Sequence, residues 1–453
     1  MRIKRLILHN FRGFQELDLE FSTNLATVLI GINGAGKTSV LDAIEILLNK
    51  FMANRHRHID AKDLGGNDIH SGANGCSITI EVLHDDELYS WSAQLGSILA
   101  NHPDRPSIND DLPGGLDIDI APDVDIHNLK PRFRNRDLIH EHKSTDVLIA
   151  PTIAPTPIMA YYPVERTVGS FDDTVIKRTI FDTGSTHEAP LSQGSRTFTS
   201  FLNWFMERES IENEEIRTDS SFRDGQLEAV RTAISRLLPD FSQVRIRRPR
   251  GRREIVSNVF VTEGAALLVT KGDRTFTLKQ LSHGERGLLA LAGDIARRLS
   301  MAFPEDASPC ESDGIVLIDE ICLHLHPQWQ REILPRLQET FPNVQFIVTT
   351  HSPQVVAQVE PESVKILKNF SAVTDGFYTR GRDTNSILGT IMDVTERPKF
   401  YEAWLHKISQ HIDMENWSDA RTELDGLAKE FGTEDGEVMR LQALIDVLSL
   451  QEE

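Results

Sequence analysis

The sequence predicts an α/β protein in which a mixed sheet and a helical lobe are followed by an all-helical C-terminal module. Three observations carry that reading. The short apolar run Ala26 to Ile30, typical of a buried strand, passes through a glycine-rich turn into residues at helical spacing. Two further apolar runs, Gly314 to Ile318 and Gln345 to Thr350, alternate with helical segments as in a parallel sheet wrapped by helices. Beyond Pro398, apolar residues recur at the helical period in three successive groups.

Taken in order, Arg2 to Leu8 and Leu17 to Phe21 alternate apolar with polar side chains and read as two strands. After the turn, Val40, Leu41, Ile44, Leu47 and Leu48 mark a helix. Ile78 to Val82 and Leu88 to Leu95 read as two more strands completing an outer antiparallel sheet. Residues 101 to 146 are rich in Asp, Pro, Asn, His and Arg without periodicity, so a mobile insertion is expected there. Ile158 to Tyr162 is a strand. Helices are expected from about Phe198, through Phe201, Leu202, Trp204 and Phe205, and from about Phe222 to Leu238. The apolar stretches Val259 to Val261 and Leu267 to Val269 lead on to a helix marked by Leu288, Leu289, Leu291, Ala292 and Ile295. The expected organisation is an N-terminal lobe over 1–100, the insertion at 101–146, a helical lobe with a basic strand region over 147–280, the remainder of the head over 281–397, and the helical module over 398–453. That module holds 13 acidic against 5 basic residues from Lys399 onward.

Composition narrows the function classes. A chain of 453 residues with 40% hydrophobic and 26% charged side chains is long enough for two or three ordinary globular domains. Cys76, Cys310 and Cys322 lie far apart and form no CxxC pair, so neither a disulfide framework nor a zinc site is suggested. Charged residues interrupt the N-terminus before a signal-peptide core could form, and no apolar run approaches eighteen residues. A cytoplasmic protein without a membrane span is expected. The net charge of −20 disfavours binding nucleic acid by bulk electrostatics. One local exception stands out, because Arg245, Arg247, Arg248, Arg250, Arg252 and Arg253 fall within nine residues beside Glu254 alone. They read either as a solvated or ion-paired strand face or as contacts to DNA or RNA phosphates.

Chemistry concentrates in a few motifs. Gly31-Ile32-Asn33-Gly34-Ala35-Gly36-Lys37-Thr38 fits the phosphate-loop pattern GxxxxGK[ST], in which backbone N–H groups at a helix start cradle phosphates. Asn33, Gly34, Gly36 and Ser39 are candidates for that cradle, Lys37 for the β and γ phosphates of ATP, and the Thr38 hydroxyl for Mg²⁺. Asp319 and Glu320 cap the apolar run at 314–318, where Asp319 is placed to hold Mg²⁺ and Glu320 to polarise the attacking water. Such a carboxylate pair alone is as readily an N-cap or solvated.

Leu281-Ser282-His283-Gly284-Glu285 resembles the LSGGQ-type signature of the ATP-binding-cassette superfamily, and His351 falls where its switch histidine follows the last core strand. With Asn10-Phe11-Arg12-Gly13-Phe14 ahead of the phosphate loop, the chain resembles the SMC/RecF branch, which implies an ATP-binding-cassette head. In that branch Ser282, Gly284 and Glu285 would meet the γ-phosphate of a second subunit, so that ATP clamps two heads together. His351 would serve catalysis beside Glu320, and Arg12 is a further candidate for the same phosphates. Read singly, Ser282-x-Gly284-Glu285 could equally be a helix cap with a box-like glutamate, and His351 a turn residue before Pro353. No glutamine between phosphate loop and signature is assigned to Mg²⁺.

Outer motifs narrow the resemblance. Tyr161-Tyr162-Pro163-Val164-Glu165-Arg166, the Phe201-x-x-Trp204-Phe205 helix ending in Glu212-Asn213-Glu214, Arg245 to Arg248, and Glu396-Arg397-Pro398 before an acidic tail resemble the PtuA family, the ATPases of Septu-type antiphage defence and of some retrons. That resemblance implies slow hydrolysis of Mg²⁺-ATP, a separate HNH nuclease of the PtuB type as partner, head-to-tail dimers that assemble into a hexamer or other higher oligomer, and no nuclease activity in this chain. Ile321-Cys322, where many relatives carry Pro-Glu, and His283 depart from the pattern. His324 and His326 could suggest a metal pair, although loop histidines of this kind are more often contact or packing residues. The rival readings are a RecF-like repair ATPase stimulated by DNA, which would use the arginine cluster, and a module that senses ATP occupancy with little turnover.

Overall fold

Alternating side chains in the first twenty residues produce the hairpin β1 (Arg2–Phe11) and β2 (Phe14–Glu20), whose inward residues Leu6, Leu8, Phe11, Phe14, Leu17 and Leu19 are buried. The computed structural model describes residues 1–22, 26–55, 62–96, 156–164, 194–248, 253–256, 259–262, 266–373, 378–390 and 397–449. The expected insertion at 101–146, together with Glu165, Arg166, Arg250, Arg252 and Glu396, lies outside the described residues. Two units emerge, Met1–Gly376 and Phe377–Glu453.

In the first unit the elements run β3 (Thr27–Ile30), α1 (Lys37–Arg55), β4 (Gly75–His84), β5 (Glu87–Gly96), β6 (Ile158–Tyr162), α2 (Gly194–Glu215), α3 (Gly225–Leu237), β7 (Phe241–Arg247), β8 (Arg253–Val256), β9 (Val259–Thr262), β10 (Ala266–Lys271), β11 (Arg274–Thr277), α4 (His283–Ala302), β12 (Gly314–Ile318), α5 (Pro327–Thr340), β13 (Val344–Thr349), α6 (Pro353–Val356), β14 (Val364–Lys368) and β15 (Ser371–Val373). The second unit contains α7 (Thr384–Thr390), α8 (Lys399–Asp413), α9 (Trp417–Phe431) and α10 (Gly436–Ser449).

Two sheets enclose α1. The outer one is antiparallel in the order β2-β1-β4-β5, and the inner one has the order β15-β14-β3-β13-β12-β6, parallel except for β15. Every residue of β3, β6, β12 and β13 is buried, which is why these strands read as continuous apolar runs. Leu41, Ile44, Leu47 and Leu48 of α1 share one apolar cluster with both sheets. Trp91 stacks on Phe51 at 5.3 Å and donates its indole N–H to the Leu47 carbonyl at 3.0 Å, tying the outer sheet to the helix. Because the core strands run parallel, their carboxyl ends meet along one edge, the usual place for a ligand in such a sheet.

Both helices of the lobe start a few residues from where the sequence indicates, α2 at Gly194 rather than about Phe198. Asp224 accepts from the Leu227 N–H and caps α3, so that helix starts at Gly225 rather than Phe222. Within α4, Asp294 accepts from Arg297 and Arg298 at 2.7 Å and from the Tyr162 hydroxyl at 2.8 Å, all four groups being buried. This network joins α4 to β6. The start of the basic stretch lies in β7, whose one paired neighbour among the described residues is β10 in the sheet β11-β10-β7, and Arg245 and Arg247 are exposed there. No helix among the described residues is long and apolar enough to cross a membrane.

The second unit has its own apolar core. Ile408 and Ile412 of α8, Ala420, Leu424 and Leu427 of α9, and Val438, Leu441 and Ile445 of α10 form it. The same helices leave Phe400, Met439 and Val447 exposed.

Candidate functional site

Each core strand delivers one group to the shared edge. β3 ends at Ile30 and hands the chain to the glycine turn at Gly31, and α1 starts at Lys37. β12 ends beside Asp319 and Glu320, β13 beside His351, and β6 beside Val164. A cavity of about 670 Å³ opens there, lined by Asn33, Gly34, Gly36, Lys37, Thr38 and Ser39, by Asp319, Glu320 and His351, and by Gly13, Val164, Leu323 and Phe370.

Lys37 reaches back along its loop. Its ammonium donates to the Gly31 carbonyl at 2.9 Å and the Ile32 carbonyl at 3.2 Å, and the residue is 6% exposed. Burial lowers its pKa, against the pull of Glu320 and Asp319. A cation so held suits a ligand that arrives with negative charge. The Thr38 hydroxyl donates to Asp319 Oδ2 at 2.9 Å, while Asp319 Oδ1 accepts from the Thr349 hydroxyl. Thr349 in turn accepts from the Glu320 N–H at 2.8 Å, which fixes the backbone of Glu320 at a φ of 49°. Strain of that kind in a non-glycine residue is characteristic of functional sites. Glu320 Oε1 lies 3.2 Å from His351 Nε2. The His351 pKa is lowered, mainly by burial and further by Lys37, with Glu320 and Asp319 opposing. A largely neutral imidazole at neutral pH follows.

Tight aromatic packing shapes the loop. Gly36 has a φ of 97°, and a Cβ there would lie 2.4 Å from the Phe14 ring. At Gly13 a Cβ would fall 2.0 Å from the Phe370 ring. Thus the Gly13-Phe14 pair serves as the floor on which the phosphate loop turns.

Not every candidate reaches the cavity. Arg12, at a φ of 51°, donates to Asp68 at 2.9 Å and to Asp42, and it does not line the cavity. Ser282, Gly284 and Glu285 also stand apart from it. Ser282 caps α4: its hydroxyl accepts from the Glu285 N–H at 3.2 Å, and its own N–H donates to Glu285 Oε2 at 2.9 Å. The other Glu285 oxygen takes Lys271 at 2.7 Å. Gly284 is needed because a Cβ there would lie 2.7 Å from the His324 carbonyl oxygen. That approach brings the rings of His283 and His324 to 5.8 Å. No group of three or more histidine, cysteine, aspartate or glutamate residues is arranged to hold a metal among the described residues.

Gly13, Val164, Leu323 and Phe370 also form the wall, although motif reading assigned none of them a role at the site. Val164 carried a faint signal, since it follows the buried strand β6 by two residues. Phe370 carried almost none.

Comparison with known proteins gives the following. Residues 1–148 match the family described as "AAA ATPase domain", and residues 209–357 the one described as "AAA domain, putative AbiEii toxin, Type IV TA system". The chain is 28% identical over 491 residues to the "Retron Ec83 probable ATPase" of Escherichia coli, covering 98% of this chain and 87% of that protein. It is 23% identical over 428 residues to the "Septu protein PtuA" of Bacillus thuringiensis, covering 91% and 90% respectively. The SMC head domain from Thermotoga maritima superposes with a TM-score of 0.40 at 15% identity, covering 83% of this chain and 100% of that one.

Proposed function

We propose that this chain, an ATPase homologous to those of retron and Septu systems, closes in pairs around ATP and through that closure regulates a separate HNH-type nuclease in a cytoplasmic antiphage complex. One observation carries the reading: the site is split. Lys37, Thr38, Asp319, Glu320 and His351 line a single cavity, whereas Ser282 lies exposed at the start of the 20-residue helix α4 and outside it. A helix start presents backbone N–H groups and the positive end of the helix dipole, both suited to phosphate. A second copy, docked head to tail, would supply this half to the γ-phosphate held by the first.

Within one copy, Lys37 grips the β and γ phosphates. Thr38 and Asp319, already joined at 2.9 Å, would hold Mg²⁺, and the ion, when bound, neutralises charge on the phosphates. Glu320 takes the proton of the attacking water, and His351 orients that carboxylate from 3.2 Å. Arg12 serves a different end, bracing the first turn of the chain against α1 through Asp42.

The C-terminal helices are the proposed site of assembly and partner capture, supported by their separate core and by exposed Phe400, Met439 and Val447. Residues 1–397 are therefore expected to bind and hydrolyse ATP after removal of 398–453, yet neither to co-purify with the nuclease nor to form the large assembly. Normal co-purification and oligomer size of the truncated chain would refute this.

A second reading, DNA-stimulated hydrolysis, draws support from β7. Arg245 and Arg247 are exposed there and make no ion pair among the described residues, while Arg248 donates to the Ser210 hydroxyl and the Met206 carbonyl. Turnover measured with and without duplex DNA separates the two readings.

A further inference from the structure

We infer that Phe370 is the residue against which the base of the bound nucleotide packs, an inference that rests on the ATP-binding reading above. Topology places it. Along the inner sheet, β14 and β13 flank β3 on opposite sides. Asp319, Glu320 and His351 come from β12 and β13, so the groups that meet the γ-phosphate lie on one side of the phosphate loop. Phe370 comes from the β14–β15 turn on the other side and lines the same cavity. A nucleotide whose γ-phosphate lies toward β12 and β13, with its β-phosphate over the loop, runs its base toward β14.

The turn itself shows that the ring is held there against local preference. Lys368 pairs with Ser371, leaving Asn369 and Phe370 as a two-residue turn with φ values of 50° and 57°. Such turns favour glycine at the second position, and a bulky residue at positive φ is an outlier. Strain retained beside a ligand cavity points to use. Two glycines make room for the ring: a Cβ at Gly13 would meet it at 2.0 Å and one at Gly36 at 3.1 Å. Phe14 holds it edge to face, with centroids 5.4 Å apart and planes at 86°. Phe370 is half-buried and offers no polar atom, so it stacks on a base without reading its edge.

The full chain, carrying Phe370→Ala, Phe370→Leu or Phe370→Trp, tests this by calorimetric titration with Mg²⁺-ATP and with Mg²⁺-tripolyphosphate, which lacks base and sugar. Phe370→Ala and Phe370→Leu are expected to weaken ATP about ten-fold and to leave tripolyphosphate within about two-fold, while Phe370→Trp restores ATP binding. Equal losses for both ligands would show that the ring merely props the loop, and unchanged ATP affinity would show that it touches no base; either overturns the inference. A wild-type chain that binds neither ligand overturns the ATP-binding reading itself, and this inference with it.

Discussion

Glu320→Gln is expected to keep ATP affinity within about two-fold of wild type and to slow turnover by about 10² to 10⁴, the range associated with loss of a general base. The amide retains the shape of the side chain and its place 3.2 Å from His351, but it cannot accept the proton of water. Backbone placement is independent of the change, because the Glu320 N–H is held by Thr349 and not by its own carboxylate. Phosphate release under saturating ATP measures the rate, and equilibrium titration measures the affinity. Wild-type turnover would remove Glu320 from the reaction.

Lys37→Ala is expected to act on binding instead. The ammonium is buried and hydrogen-bonded to two carbonyls of its own loop, so most of its desolvation is already complete before a phosphate arrives. Loss of such a charge-assisted contact should weaken ATP by about two orders of magnitude or more. Melting of the ligand-free variant provides the control, since a folded protein that no longer gains stability from ATP separates lost binding from lost structure. Wild-type affinity in Lys37→Ala would mean that the glycine turn holds no phosphate.

Much of this arrangement was legible in the sequence because two kinds of pattern are local. Full burial on both faces makes β3, β12 and β13 read as apolar runs, and the residues that follow them, Lys37, Asp319, Glu320 and His351, then fall on one edge by topology alone. Other features depend on contacts between distant segments. Arg12 was a candidate for phosphate, and only the fold shows Asp68, 56 positions away, and Asp42 taking its guanidinium. The β14–β15 turn left little trace, because Asn369-Phe370 lacks the glycine that usually marks such a turn and Lys365 and Lys368 dilute the strand before it. Gly13 looked like part of a loop motif, and its need for a bare Cα is visible only once Phe370 lies over it. For Ser282 the structure shows the capping box, which leaves the serine exposed at the helix start.

The most direct test is the mass of Glu320→Gln in solution, by light scattering, with and without Mg²⁺-ATP, alone and combined with Ser282→Asp. Aspartate is as good a helix cap as serine, so α4 should be preserved, but its charge would oppose a neighbour's γ-phosphate. Glu320→Gln alone should gain an ATP-dependent mass increase, from head-to-tail pairing, that the double variant lacks while still binding ATP. An equal increase in both, or none in either, would contradict a nucleotide shared between two copies.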